Sequence, residues 1–242
     1  MTNPTNIKSL ESITTLTFDI FGTVLNLGDS LTPSLDRLLL SYDESHVTGQ
    51  DIWQKWRQRQ RIEQYQDNIL MLQHKGYLSA NRRALMYTLR TLKIPFEKAD
   101  LDEVMEAYNH LEPFKDAIDG LGKLGDKYEL VMLSNGENWY LEHLAKHQIR
   151  IDFDDIISVE SVGKFKPHPS VYRYASQKLN REPNQIMMVA AHSFDILGAR
   201  HSGFRGAYVD RYDLPYDESE YKPDIVTSTF KELCEILDVW NF

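Results

Sequence analysis

The chain has 242 residues, 42% hydrophobic, 26% charged and 11% aromatic, with a mean hydropathy of -0.46, a globular composition that excludes a fibrous or disordered protein. Its 27 Lys and Arg against 36 Asp and Glu leave a formal charge of -9, the wrong sign for a surface that tracks phosphates, so nucleic acid is not an expected partner. The lone Cys234 can build neither an internal disulfide nor a thiolate zinc site, no apolar run of about 18 residues offers a membrane span, and Met1–Ser9 is too polar for a signal peptide. A soluble, cytoplasmic protein with no membrane partner is the expectation.

In chain order, Ile13, Leu16 and Phe18 with threonines between them predict a short strand that ends at Asp19, before the break at Phe21-Gly22-Thr23. From about Gly28 to Glu112 the patterns are amphipathic and contain no convincing strand. One helix is predicted from Asp51 to about Gln73, a second N-capped by Ser79 and running through Leu92, and a third traced by Leu101, Val104, Met105, Tyr108 and Leu111 until Pro113 stops it. Short apolar runs at 128–133, 156–159, 186–190 and 207–209 then read as buried parallel strands. Between and after them lie helices marked by Trp139, Leu141, Leu144 and Ala145, by Val171, Tyr172, Ala175 and Leu179, and by Phe230, Leu233, Cys234 and Leu237. The alternation predicts an α/β doubly wound parallel sheet, a Rossmannoid core, with an inserted all-helical cap. The division is 1–27 with 113–242 for the core and 28–112 for the cap. Chemistry in such a sheet belongs at the carboxyl ends of the strands. Asp19, Ser134-Asn135, Lys166-Pro167 and His192 to Asp195 all fall there. Each alone is ordinary turn chemistry, but four polar sites at successive strand ends are harder to dismiss.

Four segments carry a resemblance: Phe18-Asp19-Ile20-Phe21-Gly22-Thr23-Val24, Leu133-Ser134-Asn135-Gly136, Lys166-Pro167-His168-Pro169-Ser170-Val171-Tyr172 and Val189-Ala190-Ala191-His192-Ser193-Phe194-Asp195. In this order they resemble the motifs of the haloacid dehalogenase superfamily. More narrowly they resemble the L-2-haloacid dehalogenases, a likeness that continues through Trp56-Arg57-Gln58-Arg59-Gln60, the hinge-like Leu111-Glu112-Pro113-Phe114, and Gly198-Ala199-Arg200 with Gly203-Phe204. The resemblance implies hydrolysis of (S)-2-haloalkanoic acids to (R)-2-hydroxyalkanoic acids through an aspartyl ester, without cofactor or metal, by a homodimer.

Two residues after the implied nucleophile, superfamily phosphatases carry a second aspartate as general acid, whereas this chain has Phe21. A departing halide needs no proton, so an aromatic wall there suits carbon–halogen chemistry and argues against phosphoryl transfer. By resemblance Asp19 is the nucleophile, and Lys166 keeps it ionised. Thr23, Ser134 and Asn135, with backbone amides beside Ile20, bind the nucleophile or the substrate carboxylate. Arg57 reaches from the cap to the halide or carboxylate with Gln58 beside it. Phe21, Tyr77 and Phe194 wall the substrate carbon, and Tyr172 offers a hydroxyl on the substrate side or behind it. Helix geometry separates the basic residues of the cap. Positions two apart differ by about 200°, so Lys55 and Arg59 share one face while Trp53, Arg57 and Arg61 share roughly the opposite one.

The best-known members have serine and asparagine where this chain has Ala190 and His192. Two readings of His192 stay open. Either it positions or deprotonates the hydrolytic water together with Asp195, or it is a polar core residue bonded to Asp195, with water activation left to Asp195 and Lys166. Two other functions also stay open: a hydrolase of this superfamily acting on a phosphate ester or another carbon electrophile, and a binding protein that kept the fold and lost turnover.

Overall fold

The computed structural model describes residues 10–239; the polar Met1–Ser9 segment lies outside it. Six parallel strands form one sheet in the order β3-β2-β1-β4-β5-β6. They are β1 (Thr15–Phe18), β2 (Glu129–Ser134), β3 (Asp155–Ser158), β4 (Ile186–Ala190), β5 (Arg205–Val209) and β6 (Ile225–Thr227). β1 is central and buried on both faces. Its threonines are tolerated because each hydroxyl is bonded: Thr15 Oγ1 donates to Glu129 Oε2 at 2.6 Å and Thr17 Oγ1 to the Met187 carbonyl at 3.3 Å. Phe18 pairs in register with Met132 on one side and Val189 on the other. The chain order reverses beside β1, so a crevice opens past Asp19, the ligand position of a doubly wound sheet.

The helices are α1 (Leu27–Ser41), α2 (Gly49–Ile69), α3 (Tyr77–Leu92), α4 (Lys98–Glu106), α5 (Lys115–Leu124), α6 (Asn138–Leu144), α7 (Pro169–Leu179), α8 (Ser193–His201) and α9 (Phe230–Ile236). The first four lie between β1 and β2, with a 3₁₀ turn at Ala107–His110 closing the excursion. The chain leaves and re-enters the sheet region through one narrow neck. There Leu25 bridges Pro113 antiparallel, Asn26 N donates to the Glu112 carbonyl at 2.8 Å, and Phe114 N donates to the Val24 carbonyl at 2.8 Å.

Several expectations are corrected. The α2 helix stops at Ile69 rather than Gln73, and the chain reverses through positive φ at Met71 and Gln73. Ser79 is not the N-cap of α3. The helix starts three residues earlier, after Gly76, because the core's Glu137 accepts from Leu78 N at 3.3 Å and so supplies the cap from outside the segment. Trp139 is exposed, and α6 buries Tyr140, Leu141 and Leu144 instead. The three-residue β6 at the sheet edge has the pattern buried, exposed, buried, too short to register as a period.

Candidate active site

The tight turn after β1 sets the floor of the site. The Ile20 carbonyl accepts from Val24 N at 3.1 Å and Leu25 N at 2.9 Å, folding the chain back so that Thr23 faces Asp19. Gly22 has a φ of 91°, and a Cβ there would lie 2.8 Å from Tyr212 Oη and 3.1 Å from His192 Cε1, so this position needs glycine on two counts. Thr23 Oγ1 donates to Asp19 Oδ2 at 2.9 Å and accepts from Ala191 N at 2.9 Å, tying the β1 and β4 ends together.

Lys166 is wholly buried and its Nζ lies between two carboxylates, 3.2 Å from Asp19 Oδ1 and 2.6 Å from Asp195 Oδ2. Tyr172 Oη donates to Asp195 Oδ1 at 2.7 Å. It therefore braces Asp195 from behind and does not line the cleft. Burial alone would raise the Asp19 pKa, but Lys166 and the bonds from His192 and Thr23 outweigh it and hold the carboxyl well below the usual carboxylate range. Burial pushes Asp195 up to about 6 against the pull of Lys166, with Asp19 adding to the rise. Burial would likewise lower the Lys166 ammonium, yet its two carboxylates raise it. Of two carboxylates on one cation, Asp19 is the one kept ionised and Asp195 the one able to take up a proton. The ammonium takes one oxygen of each carboxylate, and among the described residues no group of three His, Cys, Asp or Glu side chains is arranged to hold a metal ion.

His192 is bonded differently from both expectations. Its Nδ1 lies 2.9 Å from Asp19 Oδ2, and its Nε2 lies 3.0 Å from Arg57 Nη2. It does not bond Asp195. A carboxylate oxygen can only accept and a guanidinium can only donate, so the ring is the neutral tautomer with hydrogen on Nδ1. Burial lowers its pKa to about 4; the Asp19 bond opposes the shift, and Arg57 and Arg61 reinforce it. With its one lone pair taken by Arg57, this histidine has no free site for a water proton. The expectation that it deprotonates water is thereby corrected. It positions Asp19 and Arg57.

Arg57 reaches down from α2. Nη2 donates to the Phe21 carbonyl at 3.2 Å and Nη1 to Gln60 Oε1 at 2.7 Å. Gln58 is exposed and turned away, since one residue along a helix is about 100° around it; the glutamines that face inward are Gln60 and Gln64. The Ile20 side chain is wholly buried in the apolar core, so this residue can offer the site only its main chain. Phe21 stacks on Tyr77 at 4.0 Å between ring centroids, and Phe194 lies 5.4 Å from the His192 ring. Asn135 Oδ1 accepts from Lys166 N at 2.9 Å, which holds the lysine's main chain. Ser134 at the end of β2 is buried, and its Oγ has no hydrogen-bond partner.

The resulting pocket is lined by Asp19, Phe21, Arg57, Arg61, Gln64, Tyr77, Asn135, His192 and Phe194. Arg61 and Gln64 were not assigned to the site from the sequence, although Arg61 lies one turn beyond Arg57 on the same helix face. Tyr212 was also missed. Its hydroxyl donates to the Gly22 carbonyl at 2.8 Å from the loop after β5, itself a strand end.

A haloacid dehalogenase-like hydrolase model matches residues 13–203. An (S)-2-haloacid dehalogenase of Xanthobacter autotrophicus is 32% identical over 82% of this chain and 76% of its own. The (S)-2-haloacid dehalogenase 4A of Burkholderia cepacia is 29% identical over 88% and 90%. The solved L-2-haloacid dehalogenase of Xanthobacter autotrophicus with chloropropionic acid covalently bound superposes with a TM-score of 0.80 at 27% identity, covering 95% of this chain and 100% of that one. With the motifs in order and the sheet, the helical excursion and the floor of the pocket all in place, the chain belongs to the haloacid dehalogenase-like hydrolase family.

Proposed function

We propose that this protein is an (S)-2-haloacid dehalogenase that converts 2-haloalkanoates to (R)-2-hydroxyalkanoates through an ester on Asp19, with no cofactor. The observation that carries the reading is an ionised, Lys166-bound Asp19 opening into a pocket where Phe21 stands in place of a second acid. The covalently bound chloropropionic acid in the Xanthobacter relative supports it.

An Asp19 carboxylate oxygen attacks C2 from the side opposite the halogen. The new C–O bond forms as the C–X bond breaks, and the halide leaves with the electron pair, so C2 inverts. Arg57 stabilises the departing anion, while Ser134 Oγ, which has no partner of its own, donates to the substrate carboxylate. Asp195 then takes a proton from water as that water adds to the Asp19 carbonyl carbon. Collapse, with the Asp195 proton passed to the departing C2 oxygen, frees the hydroxy acid; the other water proton is lost to solvent as the Asp19 carboxylate is regenerated, and one Asp19 oxygen leaves in the product. Lys166 offsets the negative charge at each stage.

The test is halide release from (S)-2-chloropropionate by purified protein in EDTA, with a single turnover in ¹⁸O-water. Chloride, (R)-lactate and label retained in Asp19 are expected. No halide from chloroacetate, bromoacetate or either 2-chloropropionate enantiomer sinks the reading. Within the same proposal, residues 28–112 act as a cap on the 1–27 and 113–242 core, supported by the neck where Leu25 meets Pro113. The assembly is a homodimer, supported by the exposed run Ile69, Leu70, Met71 and Leu72 and tested by light scattering. The location is cytoplasmic, supported by the single buried thiol of Cys234.

A further inference from the structure

Arg61 has no part in the reaction just described, yet it lines the pocket. Its guanidinium carbon sits 5.0 Å from the centre of the Phe194 ring, a cation–π contact that fixes where the charge points. Its Nε is buried without a hydrogen-bond partner, and among the described residues no carboxylate pairs with it. Every other arginine of α2 is engaged: Arg59 with Glu63 at 2.6 Å, and Arg57 with Gln60, Phe21 and His192. Burial and the like charge of Arg57 both lower the Arg61 pKa, so holding the cation here opposes its own solvation. A partly buried cation with an empty donor fork calls for an anion.

The reaction already places the departing halide on Arg57 and the C2 carboxylate on Ser134, so the anion left for Arg61 is a second carboxylate. Its place says where that charge sits. Arg61 lies one helical turn, about 6 Å, along α2 from Arg57, beside Phe194 on the pocket wall. We propose that Arg61 selects short 2-halodicarboxylic acids, such as (S)-2-chlorosuccinate, by binding the distal carboxylate. The chemistry is unchanged: Asp19 displaces halide at C2 and gives one of its oxygens to 2-hydroxysuccinate, while water replaces that oxygen in Asp19 and supplies the protons. The inference rests on the dehalogenase reading.

The experiment compares kcat/KM for (S)-2-chlorosuccinate and (S)-2-chlorobutanoate, which differ by a carboxylate against a methyl, with chloroacetate as reference. Ratios taken on one preparation do not depend on the fraction folded. The native protein should favour the dicarboxylate by about 10- to 100-fold, the size of one charge-assisted hydrogen bond. Arg61→Leu should bring the ratio below one, and Arg61→Lys should keep part of the preference. The proposal is overturned if the native protein prefers chlorobutanoate or if Arg61→Leu leaves the ratio unchanged. An equal loss on all three acids also overturns it, since that marks a general anion anchor. Halide release from chloroacetate and chlorobutanoate without this preference removes only the role of Arg61. Release from none of the three removes the dehalogenase reading as well.

Discussion

At the floor of the pocket, every carboxylate oxygen of Asp19 and Asp195 has a partner within 3.2 Å, drawn from Lys166, Thr23, His192 and Tyr172. In the roof, built on α2, α3 and the turn after α4, buried polar atoms of Arg61 and Tyr108 have none. The floor spends its hydrogen bonds on fixing charge before substrate arrives, which is electrostatic preorganisation. The roof leaves donors and acceptors open, so selection belongs there and chemistry below. One floor atom, Ser134 Oγ, is open like the roof, which fits a group that waits for the substrate carboxylate.

The largest break in that contrast is removal of the nucleophile. Asp19→Asn should lower halide release by roughly 10⁴-fold or more, and turnover that survives it would move the attacking group elsewhere. Lys166→Met comes next, because it leaves two buried carboxylates without their cation. Loss of one partner of a buried pair costs about 3–5 kcal/mol. Urea unfolding should show a fall of that size together with loss of activity, and a variant as stable as the native chain would mean that the floor is not electrostatically assembled.

The pH profile separates Asp195 from His192. Asp195 must be ionised to accept the water proton and is pushed up to about 6. Below that pH it is protonated, so kcat should fall about tenfold per unit on the acid side. His192, lowered to about 4, is neutral across the working range, and Asp19, held lower still, stays ionised. His192→Asn should therefore lower the rate yet keep the acid limb near pH 6. A limb that disappears in that variant would restore His192 as the base.

The floor was legible in the sequence because it is made by strand ends. Asp19, Ser134, Lys166 and Asp195 each follow an apolar run at the point where a parallel sheet delivers side chains to one edge. What those residues bond was not legible. That His192 turns to Asp19 depends on Gly22 letting the ring approach, and the distance between them in sequence carries no signal of it. The roof was half legible. Helical spacing put Arg57 and Arg61 on one face, but only the position of Phe194, more than a hundred residues later, shows that Arg61 enters the pocket. Gln58 was misplaced for the complementary reason: resemblance assigned a residue type to the site, and a 100° step of the helix takes it out.

Asn68 joins the two regions, and its effect should be moderate. From the end of α2 it donates through Nδ2 to the Phe165 carbonyl at 2.8 Å and accepts from Phe165 N at 2.8 Å, clasping the main chain next to Lys166 from above while Asn135 holds it from within. Closure of the roof is thus coupled to the lysine's placement. Two ordinary hydrogen bonds contribute about 1–3 kcal/mol together. Asn68→Ala should reduce kcat about tenfold with a smaller change in KM, whereas a change confined to stability would make the clasp purely structural.

Tyr108→Phe should have the smallest effect and speaks most directly to the open polar atoms of the roof. Tyr108 is wholly buried, with its ring 5.8 Å from Trp56 and 6.2 Å from Tyr77 in edge-on contacts that a phenylalanine keeps. Its hydroxyl has no hydrogen-bond partner, and burial pushes its pKa well above the ordinary tyrosine value. Deleting an unsatisfied hydroxyl removes a desolvation penalty and leaves a void smaller than a methyl group, two terms of opposite sign and similar size. The expected outcome is a urea midpoint unchanged or slightly raised, within about 1 kcal/mol of the native protein, and kcat/KM within twofold. A loss beyond 1 kcal/mol would mean that the hydroxyl is bonded through buried water, and the roof would then be as fully satisfied as the floor.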